Sequence, residues 1–128
     1  GLWSGIRYEV PPQRPPSLTV CGVEVSVYPD AISHRGGERI GEVFVRCKIG
    51  GVNDSEENRR QDANSHLAVI AHMHAVANLT GRGTPHSPTS MTIDVPRGRV
   101  VYGPSGTTTR VRQIETACAM IAAIWPTI

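Results

Sequence analysis

Two runs of alternating residues on either side of a Gly36-Gly37 pair constrain this chain more than any other feature. Val23-Glu-Val-Ser-Val-Tyr-Pro-Asp30 and Gly41-Glu-Val-Phe-Val-Arg-Cys-Lys48 both carry the period of two expected of half-buried strands. In the first, Cys21, Val23, Val25 and Val27 share one face, and Glu24, Ser26, Tyr28 and Asp30 share the other. In the second, Val43, Val45, Cys47 and Ile49 oppose Glu42, Phe44, Arg46 and Lys48. The pattern predicts one hairpin that reverses within 31–39, with a β-branched core face and a solvent face that gathers acids and bases.

The flanking segments extend this to a fold class. Residues 2–10 suit a short strand, but Pro11, Pro12, Pro15 and Pro16 forbid a regular ladder beyond it, so 1–17 is expected to be a proline-rich N-terminal arm and 18–128 a single domain. Gly50-Gly51 ends the second strand, and acids follow where a helix N-terminus favours them. A helix is predicted from about 55 to 79, with Ala63, Leu67, Ile70 and Ala71, continued over Met73 to Val76, as its apolar stripe. A loop over 81–88 leads to a second hairpin, Met91–Val95 and Arg99–Tyr102, turning at Pro96-Arg97-Gly98. Val111, Ile114, Cys118, Ile121 and Trp125 then fall at helical spacing before Pro126 stops the last helix. The order (β)ββαββα predicts an α+β fold, an antiparallel or mixed twisted sheet with two helices.

Composition excludes several classes of function. With 128 residues the chain is one domain's worth, and 13 basic against 11 acidic residues leave only +2, too little to argue for any charged partner by itself. The C-terminal third is mildly basic, with five arginines after residue 81 against Asp94 and Glu115. Twelve of the basic residues are Arg, which suits bidentate phosphate contacts and equally reflects a GC-rich genome. Three cysteines without CxxC spacing support neither a disulfide framework nor a zinc site, and each sits in an apolar run, as a small core residue in a reducing compartment would. His66, His72 and His74 do not share one face at ligand spacing. No run approaches the eighteen apolar residues of a membrane span, and the start has no basic-then-apolar segment, so a soluble, cytoplasmic protein with no membrane partner is expected. The chain opens at Gly1 rather than Met, which is expected of a trimmed start.

A hairpin in which Pro29-Asp30 ends one strand and an acid lies early in the next, followed by a long helix, resembles the core of the PD-(D/E)XK nuclease superfamily over about residues 18–80. The resemblance implies that Asp30 and a second acid bind Mg²⁺ as the catalytic metal, and that a lysine two residues past that acid orients the attacking water. Strand rise is roughly 3.3 Å per residue, so Glu42 and Lys48 stand about 20 Å apart and cannot serve one metal-bound water. If Lys48 is the lysine, the acid's position holds Arg46; if Glu42 is the acid, the lysine's position holds Phe44. Glu42 is the better partner, because a reversal near 34–36 brings Asp30 opposite Ile40 to Glu42. The competing reading makes Asp30 a turn cap and Glu42 a solvated residue. The superfamily's helix pattern of Gln and a Tyr four residues on is also missing, His66 and Ile70 standing there.

Without the lysine, the resemblance implies a nucleic-acid-associated protein with an inactive or weakly active nuclease-like core, of the sort carried by mobile genetic elements. Arg46, Lys48, Arg59 and Arg60 are then the candidate phosphate contacts. The alternative for the strand pair is an ion pairing of Arg46 and Lys48 with Glu24 across the hairpin. Gly103-Pro-Ser-Gly, with Arg110 and Arg112 nearby, offers either an anion cradle or a plain turn and cap. No Gly-x-Ser-x-Gly or phosphate-binding loop is present, and Cys118 falls on the buried stripe of its helix. From a different class, a small non-catalytic protein–protein interaction module accounts for the same chain, with Trp3 and the proline-rich lead as its docking arm.

Overall fold

Arg39–Arg46, the longest strand, organises the rest of the computed structural model, which describes residues 6–47 and 54–124. In chain order the elements are β1 (Ile6–Glu9), β2 (Leu18–Val20), β3 (Val23–Val25), β4 (Ala31–Arg35), β5 (Arg39–Arg46), α1 (Asp54–Asn78), β6 (Thr84–Pro85), a 3₁₀ turn (Ser87–Thr89), β7 (Met91–Asp94), β8 (Arg99–Tyr102) and α2 (Thr108–Ile124). The main sheet runs β1-β4-β5-β7-β8, with β6 pairing beside β5, and β2-β3 form a separate two-stranded sheet. β5 pairs with β6 and β7 in parallel, reached through α1, while its pairing with β4 is antiparallel. The sheet is therefore mixed, and the class is α+β with two helices, as the pattern predicts.

The first hairpin is drawn differently from the expectation. Residues 18–30 are not one strand. Cys21 and Gly22 both have positive φ, 49° and 80°, the backbone of a two-residue hairpin turn, and they fold β2 back on β3. Asp30 does not end a strand; it precedes β4, and most of the segment expected to be a reversal is β4 itself, with the turn reduced to Gly36–Glu38. Alternation missed β4 because polar Ser33 is fully buried there, its hydroxyl donating to the Thr89 carbonyl at 2.5 Å.

Register then fixes the faces. Ile32 lies opposite Glu42 and His34 opposite Ile40, and residues directly opposite share a face. That face carries Ile32 and Ile40 against Ala75 of α1 and Leu79 just past its end. The charged face of β5 therefore points under the helix and not to solvent. Glu24 takes the Ser17 hydroxyl at 2.6 Å, and Arg46 donates to Asn64 at 2.7 Å, so the expected Arg46–Glu24 pairing does not form. The buried positions among the described side chains of α1 are Arg60, Asn64, Ala68, Val69, Ala71, His74 and Ala75, which include the expected Ala71 and Ala75, while Leu67 and Ile70 are half-buried and Ala63 is exposed.

A second cluster joins Leu18, Val20 and Val27 to Cys118 of α2, with Phe44, Ile70 and Met73 packed against it. Cys118 is the one buried residue of α2 among its described side chains, and the last turns of the helix stand mostly exposed. Ile121, expected in the core, is 47% exposed, and Trp125 lies outside the described residues. Cys21 and Cys47 are exposed, so only Cys118 is the core cysteine all three were expected to be. Within the proline-rich arm, β1 is the edge strand of the main sheet and pairs β4. No helix among the described residues is long and apolar enough to cross a membrane.

Candidate anion-binding cleft

The two acids singled out by sequence have different partners. Asp30 extends the β4–β5 ladder by one step: its N–H donates to the Val43 carbonyl at 2.8 Å, and its carboxylate accepts the Val45 N–H at 2.7 Å. This places Asp30 alongside Phe44. Glu42, two residues away on β5, is 1% exposed, and its Oε2 lies 2.6 Å from His74 Nδ1. Burial raises the Glu42 carboxyl above its ordinary value, and His74 draws it part of the way back. Among the described residues no group of three or more His, Cys, Asp or Glu is placed to hold a metal ion.

The candidate phosphate contacts also separate. Arg60 is buried, with Nε and Nη2 donating to Asp94 at 2.7 and 2.8 Å, and Asn64 bridges Asp94 to Arg46. The Arg60 guanidinium, backed by Asn64, holds the Asp94 carboxyl far below the usual carboxylate range. Arg60 is a core cation. Its helical spacing from Asn64, Ala68, Ala71 and Ala75 was the signal that it belongs to the buried stripe. Arg59 is exposed on α1, Arg46 is half-buried on the helix side of the sheet, and Lys48 lies outside the described residues.

A different set of cations does converge. Arg7, His34, Arg35, Arg39 and Arg82 line a cleft of about 830 Å³ at the closed end of the β4–β5 ribbon, with Glu9 and Glu38 as its acids. Arg82 contacts both Glu9 oxygens, at 2.6 and 2.5 Å, and His34 Nε2 lies 2.8 Å from Glu9. Those contacts, His34 first and then Arg82, lower the Glu9 carboxyl. Arg7, Arg35 and Arg39 have no carboxylate within ion-pair distance among the described residues. Arg35 and Arg39 are moreover direct cross-strand partners, and Arg7 is paired with His34. Like charges directly opposite destabilise a strand pair, by roughly some tenths of a kcal/mol when exposed.

The cleft's far wall is held by backbone. The Thr84 N–H donates to the Glu38 carbonyl at 2.8 Å, and a Cβ on Gly83 would stand 2.8 Å from that same oxygen. Only glycine lets the loop after α1 lie against the ribbon's turn. Sequence reasoning passed over this site because Arg35-Gly-Gly-Glu-Arg39 and Gly81-Arg82-Gly83 look like turns; the signal available was an arginine on both sides of each glycine turn or within it.

No family model, curated protein or solved structure matches the chain.

Proposed function

We propose that this chain binds nucleic acid by seating backbone phosphates in the arginine cleft, on an α+β core similar to that of PD-(D/E)XK nucleases but without their metal chemistry. The observation that carries the reading is the set Arg7, Arg35 and Arg39, three arginines that line one cleft at the end of the ribbon, Arg7 from the face that α1 covers and Arg35 and Arg39 from the other, with no carboxylate partner among the described residues. Four arginines against two glutamates leave the cleft at +2 with His34 neutral. A cross-strand Arg35–Arg39 pair costs stability in the free protein, and a bound polyanion offsets that cost.

Binding without cleavage is favoured by the register. With Asp30 alongside Phe44, the second acid and the lysine of the superfamily motif would fall at Phe44 and Arg46. Phe44 packs on the apolar cluster under α1, and Glu42 is engaged by His74. One oxygen of Asp30 is already engaged by the Val45 N–H and one oxygen of Glu42 by the His74 imidazole.

The test is a binding isotherm at low salt for single-stranded DNA, duplex DNA and RNA, with wild type and with Arg35→Ala plus Arg39→Ala. Wild type is expected to bind at least one of them, and the double variant at least tenfold more weakly. Equal affinity for the two proteins would remove the cleft from the account.

The protein-docking alternative is favoured by one observation, the exposure of Met120 and Ile121, 60% and 47%, on the outer turns of α2. It becomes the better reading if no nucleic acid is bound at low salt.

A further inference from the structure

Glu42 has a second oxygen that the core leaves over. Its side chain is 2% exposed, yet Oε1 has no hydrogen-bond partner among the described residues. The carboxyl stands in the wall of a partly open cavity of about 200 Å³, lined by prolines of the 11–16 segment and by Pro29, Ile32 and Leu79. A buried oxygen in this state is a standing cost unless something donates to it.

The charge of the site follows from counting protons. His74 Nε2 lies 2.6 Å from the Pro16 carbonyl, which only accepts, so Nε2 carries a hydrogen. His74 Nδ1 and Glu42 Oε2, 2.6 Å apart, then need a proton between them, since two bare lone pairs at that distance repel. The pair is net neutral whether it is written as carboxylic acid with imidazole or as carboxylate with imidazolium. Arg82, the other charged group on the cavity, is matched by Glu9. The cavity carries no net charge, has mostly apolar walls and one acceptor without a partner, and it disfavours ions of either sign by desolvation.

Asn78 adds a second acceptor. It lines the same cavity, and its Nδ2 donates to the His74 carbonyl, which leaves Oδ1 as the unassigned end of the amide. Two acceptors in an apolar-walled space match the two N–H donors of a primary amide, and Arg82, which also lines the cavity, has N–H donors for the amide's carbonyl. The volume equals about six or seven waters' share of the liquid, which bounds the ligand to a short apolar body.

We propose that this cavity is a binding site for a small neutral primary carboxamide, held by Glu42 Oε1 and Asn78 Oδ1 beneath the proline segment. The site is separate from the arginine cleft and does not depend on nucleic-acid binding.

The probe is isobutyramide, compared with isobutyrate and isobutylammonium in a titration followed by amide NMR shifts. Isobutyramide is expected to give saturable, low-millimolar shifts at Ile32, Glu42, Asn78 and Leu79, at least tenfold tighter than either ion. Asn78→Leu is expected to weaken it at least fivefold; this half-buried position serves as the deciding variant if Glu42→Leu fails to fold. No saturable response, shifts confined to other regions, an ion binding as tightly as the amide, or Asn78→Leu binding unchanged would each overturn the site.

Discussion

Arg60 and Asp94 face each other across the helix–sheet interface through two hydrogen bonds of 2.7 and 2.8 Å, with Asp94 fully buried. The pair ties α1 to the last residue of β7. Breaking such a pair from one side strands a buried charge, so Asp94→Asn is expected to cost on the order of 3 kcal/mol in urea unfolding. The sign of the pH effect follows from the lowered Asp94 carboxyl: its folded-state pKa lies below the unfolded value, so its contribution is complete above about pH 4–5 and is lost progressively as the pH falls from there toward the folded-state value. Wild type should therefore lose more stability than Asp94→Asn between pH 6 and pH 3. Parallel profiles for the two proteins would contradict it.

Ile40 is fully buried between β4, β5 and α1, whereas Ile121 of α2 is 47% exposed. Ile40→Ala is expected to cost roughly 2–5 kcal/mol and Ile121→Ala about 0.5 kcal/mol or less. Chemical denaturation of the two variants gives the comparison. A large loss from Ile121→Ala would mean that the outer turns of α2 are covered in solution.

Gly41 is required by close approach. A Cβ there would stand 2.5 Å from the backbone of both Thr89 and Ser90, where the 3₁₀ turn lies against β5. Gly41→Ala is expected to destabilise by about 1–3 kcal/mol, and the Ser90 hydroxyl's bond from the Glu42 N–H, 3.1 Å, should loosen with it. Faster amide exchange at Glu42 in that variant reads this out; unchanged stability would mean the turn moves freely.

Divalent metal tests the proposal that the core works without metal chemistry. Melting of wild type is expected to be the same with and without millimolar Mg²⁺ or Mn²⁺. A rise that disappears in Asp30→Ala would restore the Asp30–Glu42 metal pair.

Several elements were legible in the sequence because their apolar patterns are local. The second hairpin, both helices and the mixed-sheet class follow from period and turn chemistry. The first hairpin did not, because a single alternating pattern spans Cys21-Gly22, and nothing in alternation distinguishes a strand from two strands joined by a positive-φ turn. Glu42 and Arg60 defeated the reading for a shared reason: each is a charged residue on a buried face, and its partner, His74 or Asp94, lies more than thirty positions away in the chain. The arginine cleft is assembled from β1, the β4–β5 turn and the loop after α1, three segments whose adjacency only the sheet order supplies.

The most direct measurement is the salt dependence of nucleic-acid affinity for wild type and for Arg35→Ala plus Arg39→Ala. Removing one arginine–phosphate interaction should flatten the slope of log K against log salt by about one, so the double variant is expected to be shallower by about two. Identical slopes, or no binding by wild type at low salt, would contradict the cleft as a phosphate site.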